Sequence, residues 1–176
     1  MLFDVSGSMD GDGLNNGLRY LAVLSLLFDN INLRFFSDDL APDGDGQDII
    51  RALKYGSYQK ARDLLRKTFE KYKGGTALID STEKLLVELP EVKNLIVVSD
   101  EVSWVEGIDL EARIKSLQKN LIGKKLILIN PTVYKGTVFA GNILGIASLT
   151  SSILLDFAMI TNTNGFVKYI KSYRHK

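Results

Sequence analysis

Asp4, Ser6 and Ser8 form a D-x-S-x-S run, and Thr76 and Asp100 follow it downstream. The run ends the short apolar stretch Met1-Leu2-Phe3 and opens a glycine-containing turn before a long apolar-periodic segment. Thr76 follows the Gly74-Gly75 pair and precedes a helix signal, and Asp100 closes the apolar run Leu95-Ile96-Val97-Val98-Ser99. All three signals fall at strand or loop ends that feed helices, where open α/β sheets gather ligands. Oxygen donors without sulfur or imidazole suit a hard cation: Mg²⁺, with Mn²⁺ or Ca²⁺ as alternatives. Hydroxyls are neutral, so the set offers two formal negative charges, from Asp4 and Asp100. A cation held this way stays electron-poor and keeps a position for water or for a carboxylate from elsewhere. That describes an adhesive site better than a hydrolytic one.

Each residue also has an ordinary role. Asp4 and Ser6 fit a polar strand-to-helix turn, Thr76 fits a helix N-cap after two glycines, and Asp100 fits a strand-end carboxylate. The case for a site rests on their coincidence in type, order and element position.

Alternating elements must position these residues. The segment Leu14 to Asn30 reads as a helix, apolar at Leu14, Leu18, Leu21, Leu24, Leu27 and Phe28. Leu33-Arg34-Phe35-Phe36 reads as the next strand, made less central by its arginine. A helix over Tyr58–Tyr72 turns Ala61, Leu65, Phe69 and Tyr72 inward, and another runs from about Leu78 to Leu89 before Pro90. Asp109 starts a helix with Leu110, Ile114, Leu117 and Leu121 at helical spacing, and Asn130-Pro131 stops a strand at Lys125–Ile129. Further strand and helix signals follow at Ile153–Ile160 and from Asn164 or Gly165 toward Ser172. Apolar strands alternating with helices imply a mostly parallel sheet covered on both faces.

The loop-rich stretch Ser37 to Gln47 carries a cluster of aspartates. Its Asp43-Gly44-Asp45-Gly46-Gln47-Asp48 run lacks the terminal glutamate of a calcium loop and reads as a solvated acidic turn. Asp10 and Asp12 terminate the first turn and suit the positive end of the following helix. Lys60, Arg62, Arg66, Lys67, Lys71 and Lys73 load one helix without interleaved aromatics, which reads as a solvated amphipathic face. The basic tail, Lys168 to Lys176, reads as an exposed helix end. Gly136 to Leu155 is twenty residues without charge, yet its glycines, Asn142 and Thr150-Ser151-Ser152 argue against a membrane span.

The chain has 176 residues, no cysteine, one histidine and a formal net charge of +1. This length suits one domain, residues 1–176, able to bury roughly 70% of the surface its unfolded form exposes. Near-neutral charge argues neither for nor against nucleic acid. The lack of cysteine excludes disulfides and thiolate metal sites and suits a reducing compartment such as the cytoplasm. His175 stands next to the carboxyl terminus, which removes most triad and zinc-hydrolase schemes. The amino terminus enters a strand at once without the basic region of a signal peptide. That abrupt start suggests the carboxyl-terminal domain of a longer protein, with a naturally short domain as the alternative.

The D-x-S-x-S run at Asp4 to Ser8, with Thr76 and Asp100, resembles the metal-ion-dependent adhesion site of von Willebrand factor A domains. The resemblance covers nearly the whole chain. It implies a three-layer, doubly wound, Rossmann-like fold in which Ser6, Ser8 and Thr76 touch the metal directly. It further implies that Asp4 and Asp100 act mostly through bound water and that an aspartate or glutamate of a protein partner completes the octahedron. Glu101 stands where the family often has glycine; it either adds an acidic ligand, crowds the site or points away. Trp104 is either a rim residue that touches a partner or a partly buried side chain.

A narrower likeness joins Ser99-Asp100-Glu101-Val102-Ser103-Trp104, Ile129-Asn130-Pro131-Thr132 and Gly165–Ile170 to the A domains of Ro (TROVE) ribonucleoproteins. In that family a ring of helical repeats binds RNA, and no such repeats exist here. The leading expectation is a metal-dependent protein-binding module without enzymatic activity. A Ro-like, RNA-associated domain is the alternative. A phosphatase of the haloacid dehalogenase type is a minor one, because that family needs a second aspartate where Ser6 stands.

Overall fold

The computed structural model describes residues 1–100, 110–132 and 145–146. Strand β1 (Leu2–Asp4) leads through one 3-10 turn, Gly7–Met9, into helix α1 (Asp12–Leu27). Strand β2 (Arg34–Phe36) is followed by three helices: α2 (Asp45–Lys54), α3 (Tyr58–Tyr72) and α4 (Leu78–Glu88). Strand β3 (Asn94–Val98), helix α5 (Leu110–Asn120), strand β4 (Lys125–Ile129) and the two-residue strand β5 (Gly145–Ile146) complete the described order.

Among the described residues the strands pair in parallel, in the order β2-β1-β3-β4-β5, and one isolated antiparallel bridge joins Phe36 to Leu40. Side chains alternate between two apolar layers, as the period of a strand requires. Phe3, Phe35, Ile96, Val98 and Ile129 join the core under α1, α2 and α3. Leu2, Phe36, Leu95, Val97, Leu126 and Leu128 join the core under α4 and α5. The sheet is therefore covered on both faces, an α/β architecture. The strand order reverses direction at β1, so the crevice between the carboxyl ends of β1 and β3 is the topological switch point where such sheets bind ligands.

Helix α3 and strand β4 have the limits that periodicity and the Asn130-Pro131 stop imply. Ala61, Leu65 and Phe69 are buried, whereas Tyr72 is only partly so. The cations of α3 are exposed; Arg66 pairs with Asp10 at 2.6 Å and Lys73 with Glu70 at 2.8 Å. Strand β2 lies at the sheet edge, in keeping with its arginine. There the buried Arg34 guanidinium donates to Glu88 Oε2 and to the Ala41 carbonyl, each at 2.9 Å.

Three expectations need correction. Helix α1 begins at Asp12, which stands in its first turn, and ends at Leu27, because Phe28 is already extended. Thr76 is not the N-cap of α4; Ala77 is, and it makes no side-chain cap bond. The third concerns Ser37 to Gln47: Asp45 to Asp48 form the first turn of α2, although Asp43 and Asp48 are exposed as expected. That helix buries Ile49, Ile50, Ala52 and Leu53 against the first core. Gly46 sits so close to β2's approach that a Cβ would lie 2.1 Å from the Leu33 carbonyl oxygen. A glycine that lowers helix propensity is thus required by a tertiary contact.

Among the described residues no helix is long and apolar enough to cross a membrane. Apart from Gly145–Ile146, the Gly136–Leu155 stretch lies outside the described residues, as do the strand at Ile153–Ile160, the helix toward Ser172, His175 and the basic tail.

Ile49 is fully buried in α2, so Ile49→Ala is expected to lower unfolding free energy by about 2–5 kcal/mol. Urea denaturation measures this, and a change near zero would return this segment to the solvated turn.

Candidate metal centre

Strand β1 ends on Asp4, and the pairing of Phe3 with Val98 carries Asp4 alongside Ser99. The Asp4 carboxylate is 0% exposed. Its Oδ1 accepts the Ser6 amide at 2.8 Å, and its Oδ2 accepts the Ser99 hydroxyl at 2.6 Å. Ser6 is extended, and the turn at Gly7–Met9 brings Ser8 back beside it, with the two hydroxyl oxygens 3.1 Å apart. Ser6 is buried and Ser8 exposed, so the pair runs from the floor of the crevice to solvent.

The other two residues arrive on neighbouring segments. The Gly7 amide donates to the Gly74 carbonyl at 2.9 Å, docking the serine turn onto the loop that carries the buried Thr76. Asp100, 2% exposed, follows β3 directly, and its carbonyl accepts Asn130 Nδ2 at 3.3 Å. Asn130 Oδ1 in turn accepts the amide and hydroxyl of Thr132, at 2.9 and 2.8 Å. The structure thus joins Asp4, Ser6 and Ser8 by direct bonds, sets the Thr76 loop against them, and brings Asp100 close enough to act on Asp4 by its charge.

Burial pushes the Asp4 carboxyl up to about 7; bonds from Ser99 and Ser6 oppose this, and the negative charge of Asp100 adds to it. Among the described residues no basic side chain pairs with Asp4. A buried carboxylate without a counter-charge is costly, and a divalent cation is the group that would relieve it. Adjacent oxygens of an octahedral shell at Mg²⁺ distances stand about 3 Å apart, close to the 3.1 Å between the serine oxygens. The serine hydroxyls, which hydrogen-bond to each other here, are thus spaced as two neighbouring positions of such a shell would be. Among the described residues no group of three or more His, Cys, Asp or Glu side chains converges. The negative charge at this site, among the described residues, is that of Asp4 and Asp100.

Ser99 and the Gly7–Gly74 bond were not singled out in the sequence. Ser99 was visible only as the residue before Asp100, and its role depends on the register of β1 against β3. Glu101 and Trp104 lie outside the described residues. No protein-family model matches this chain, and no curated protein matches it.

The raised Asp4 value has a definite sign. The folded state holds a proton that the unfolded state, near 3.8, has already released. The contribution of Asp4 to the stability of the metal-free protein therefore falls as pH rises from about 4 to about 7 and then levels. Asp4→Asn keeps the acceptor for the Ser6 amide and removes the charge. In chelator it is expected to match the parent near pH 4 and to exceed it at pH 8 by a few kcal/mol at most. Urea titrations across this range test it; a variant gap independent of pH would show that Asp4 carries no buried-charge penalty.

Proposed function

We propose that this chain is a von Willebrand factor A-like module that binds a protein partner through a divalent cation and is not an enzyme. The observation that carries the reading is the buried Asp4 carboxylate beside Asp100 and the Ser6–Ser8 hydroxyl pair at the switch point of a parallel sheet, with no basic partner for Asp4 among the described residues. Ser6, Ser8 and Thr76 would hold Mg²⁺ directly, with Mn²⁺ or Ca²⁺ as alternatives. Asp4 and Asp100 would supply charge and hold its waters. When bound, the cation supplies a Lewis-acidic contact for a partner's aspartate or glutamate.

The chain's own residues account for why the contact would be adhesive. Two carboxylates leave a dipositive ion no more than neutralised, and hydroxyl donors withdraw little of its attraction for another anion. Ser8 lies at the solvent end of the serine pair, so that side of the site is open to an incoming group. Asp4 is already engaged on both oxygens, by Ser6 and Ser99, which fixes the orientation of its carboxylate.

Calorimetric titration of Mg²⁺ and Mn²⁺ into chelated protein tests this, with and without acetate standing in for the partner's carboxylate. The parent is expected to bind, more tightly with acetate, and a Ser6→Ala/Ser8→Ala variant to lose at least about tenfold in affinity. Absence of binding by the parent in both conditions would sink the proposal.

A further inference from the structure

We infer that Asp38 is a positioning residue of this site, holding the Gly74–Gly75 loop so that Thr76 faces the cation; the inference rests on the function proposed above. Asp38 belongs to the short turn after β2, a segment whose aspartates otherwise read as solvated. Its Oδ1 accepts the Gly75 amide at 2.7 Å. The same carboxylate lies over both glycines: a Cβ on Gly74 would sit 2.1 Å from Oδ2, and one on Gly75 would sit 2.5 Å from Oδ1. The two glycines are therefore the space the carboxylate occupies, and a side chain at either would displace it.

Ser37, the residue before Asp38, grips the same loop at both ends. The Ser37 hydroxyl donates to the Tyr72 carbonyl at 2.5 Å, and the Ser37 carbonyl accepts the Ala77 amide at 2.6 Å. The amides immediately before and after Thr76's own, those of Gly75 and Ala77, are thus both tied to the turn after β2. The Gly74 carbonyl is meanwhile tied to the Gly7 amide between the two site serines. Backbone freedom at Gly74 and Gly75 would leave Thr76 poorly placed, since glycine carries the most conformational entropy to be lost. The Asp38 bond removes that freedom at the point where it matters. Because Asp38 works through the backbone amide of Gly75, its action requires an acceptor oxygen and not a negative charge.

The test combines metal calorimetry on the parent, Asp38→Ala, Asp38→Asn, Thr76→Ala and Asp38→Ala/Thr76→Ala with amide exchange of Gly75 and Ala77 in metal-free protein. Loss of one exposed hydrogen bond predicts that Asp38→Ala weakens Mg²⁺ binding by roughly three- to tenfold. Asp38→Asn, whose amide oxygen accepts the same bond, is expected to stay within about twofold of the parent. In the Thr76→Ala background, Asp38→Ala should add nothing, because its effect passes through Thr76. Exchange at Gly75 should be slow in the parent and accelerate in Asp38→Ala.

Parent-like Mg²⁺ affinity in Asp38→Ala would overturn the inference and leave the proposed function standing. Multiplying penalties in the double variant, or an Asp38→Asn as weak as Asp38→Ala, would overturn it as well. No Mg²⁺ binding by the parent would overturn the proposed function and this inference with it. The exchange data would then still decide whether Asp38 holds the loop.

Discussion

The buried carboxylate of Asp4 is the constraint around which the described structure is arranged. It stands at the end of a strand with neighbours on both sides, and each neighbour contributes something it needs. From β3 comes the Ser99 hydroxyl on Oδ2, and from its own turn the Ser6 amide on Oδ1. From β2 comes the Phe36 carbonyl, which accepts the Val5 amide at 2.9 Å and keeps the chain extended as it leaves the strand. A charge in this position requires that all three segments be in register. A slip of one residue in either pairing would exchange the two faces of a strand and remove its core contacts with them.

The same geometry gives the site its character. Hydrogen bonds orient Asp4 without neutralising it, and Asp100 adds a second negative charge nearby. Beside them, among the described residues, stand the uncharged hydroxyls of Ser6 and Ser8. Local arrangements that cost stability and are kept by the surrounding fold are typical of functional sites. Here the supporting fold is ordinary: strands with alternating faces, two apolar layers and helices whose polar sides meet solvent. The unusual features are concentrated within a few residues of the switch point.

The elements differ in how legible they were, for identifiable reasons. Tyr58–Tyr72 could be read at full length because its apolar residues recur with helical spacing and its polar face is continuous. Lys125–Ile129 could be read because Asn130-Pro131 ends it. Arg34 correctly marked β2 as peripheral, since its guanidinium needs acceptors from outside the sheet and finds them on Glu88 and Ala41. The helix Asp45–Lys54 was hidden by its aspartates and by Gly46, whose presence reflects contact with Leu33. The Thr76 cap was misassigned because a threonine before a helix is a common cap, whereas here the helix starts one residue later.

By itself the sequence determined the types and order of the donor residues and their places at element ends. It also determined the alternation of strand and helix that makes a covered parallel sheet. These are local properties, set by side-chain chemistry, periodicity and turn residues. Only the tertiary structure decided that Ser99 reaches Asp4, that the Gly7 amide meets the Gly74 carbonyl, and that Asp38 lies over Gly74 and Gly75. It also decided that burial lifts the Asp4 carboxyl toward neutrality. Those facts depend on strand register and on contacts between residues 95, 67 and 37 positions apart. No local pattern encodes such distances, because they follow from how the whole sheet is ordered.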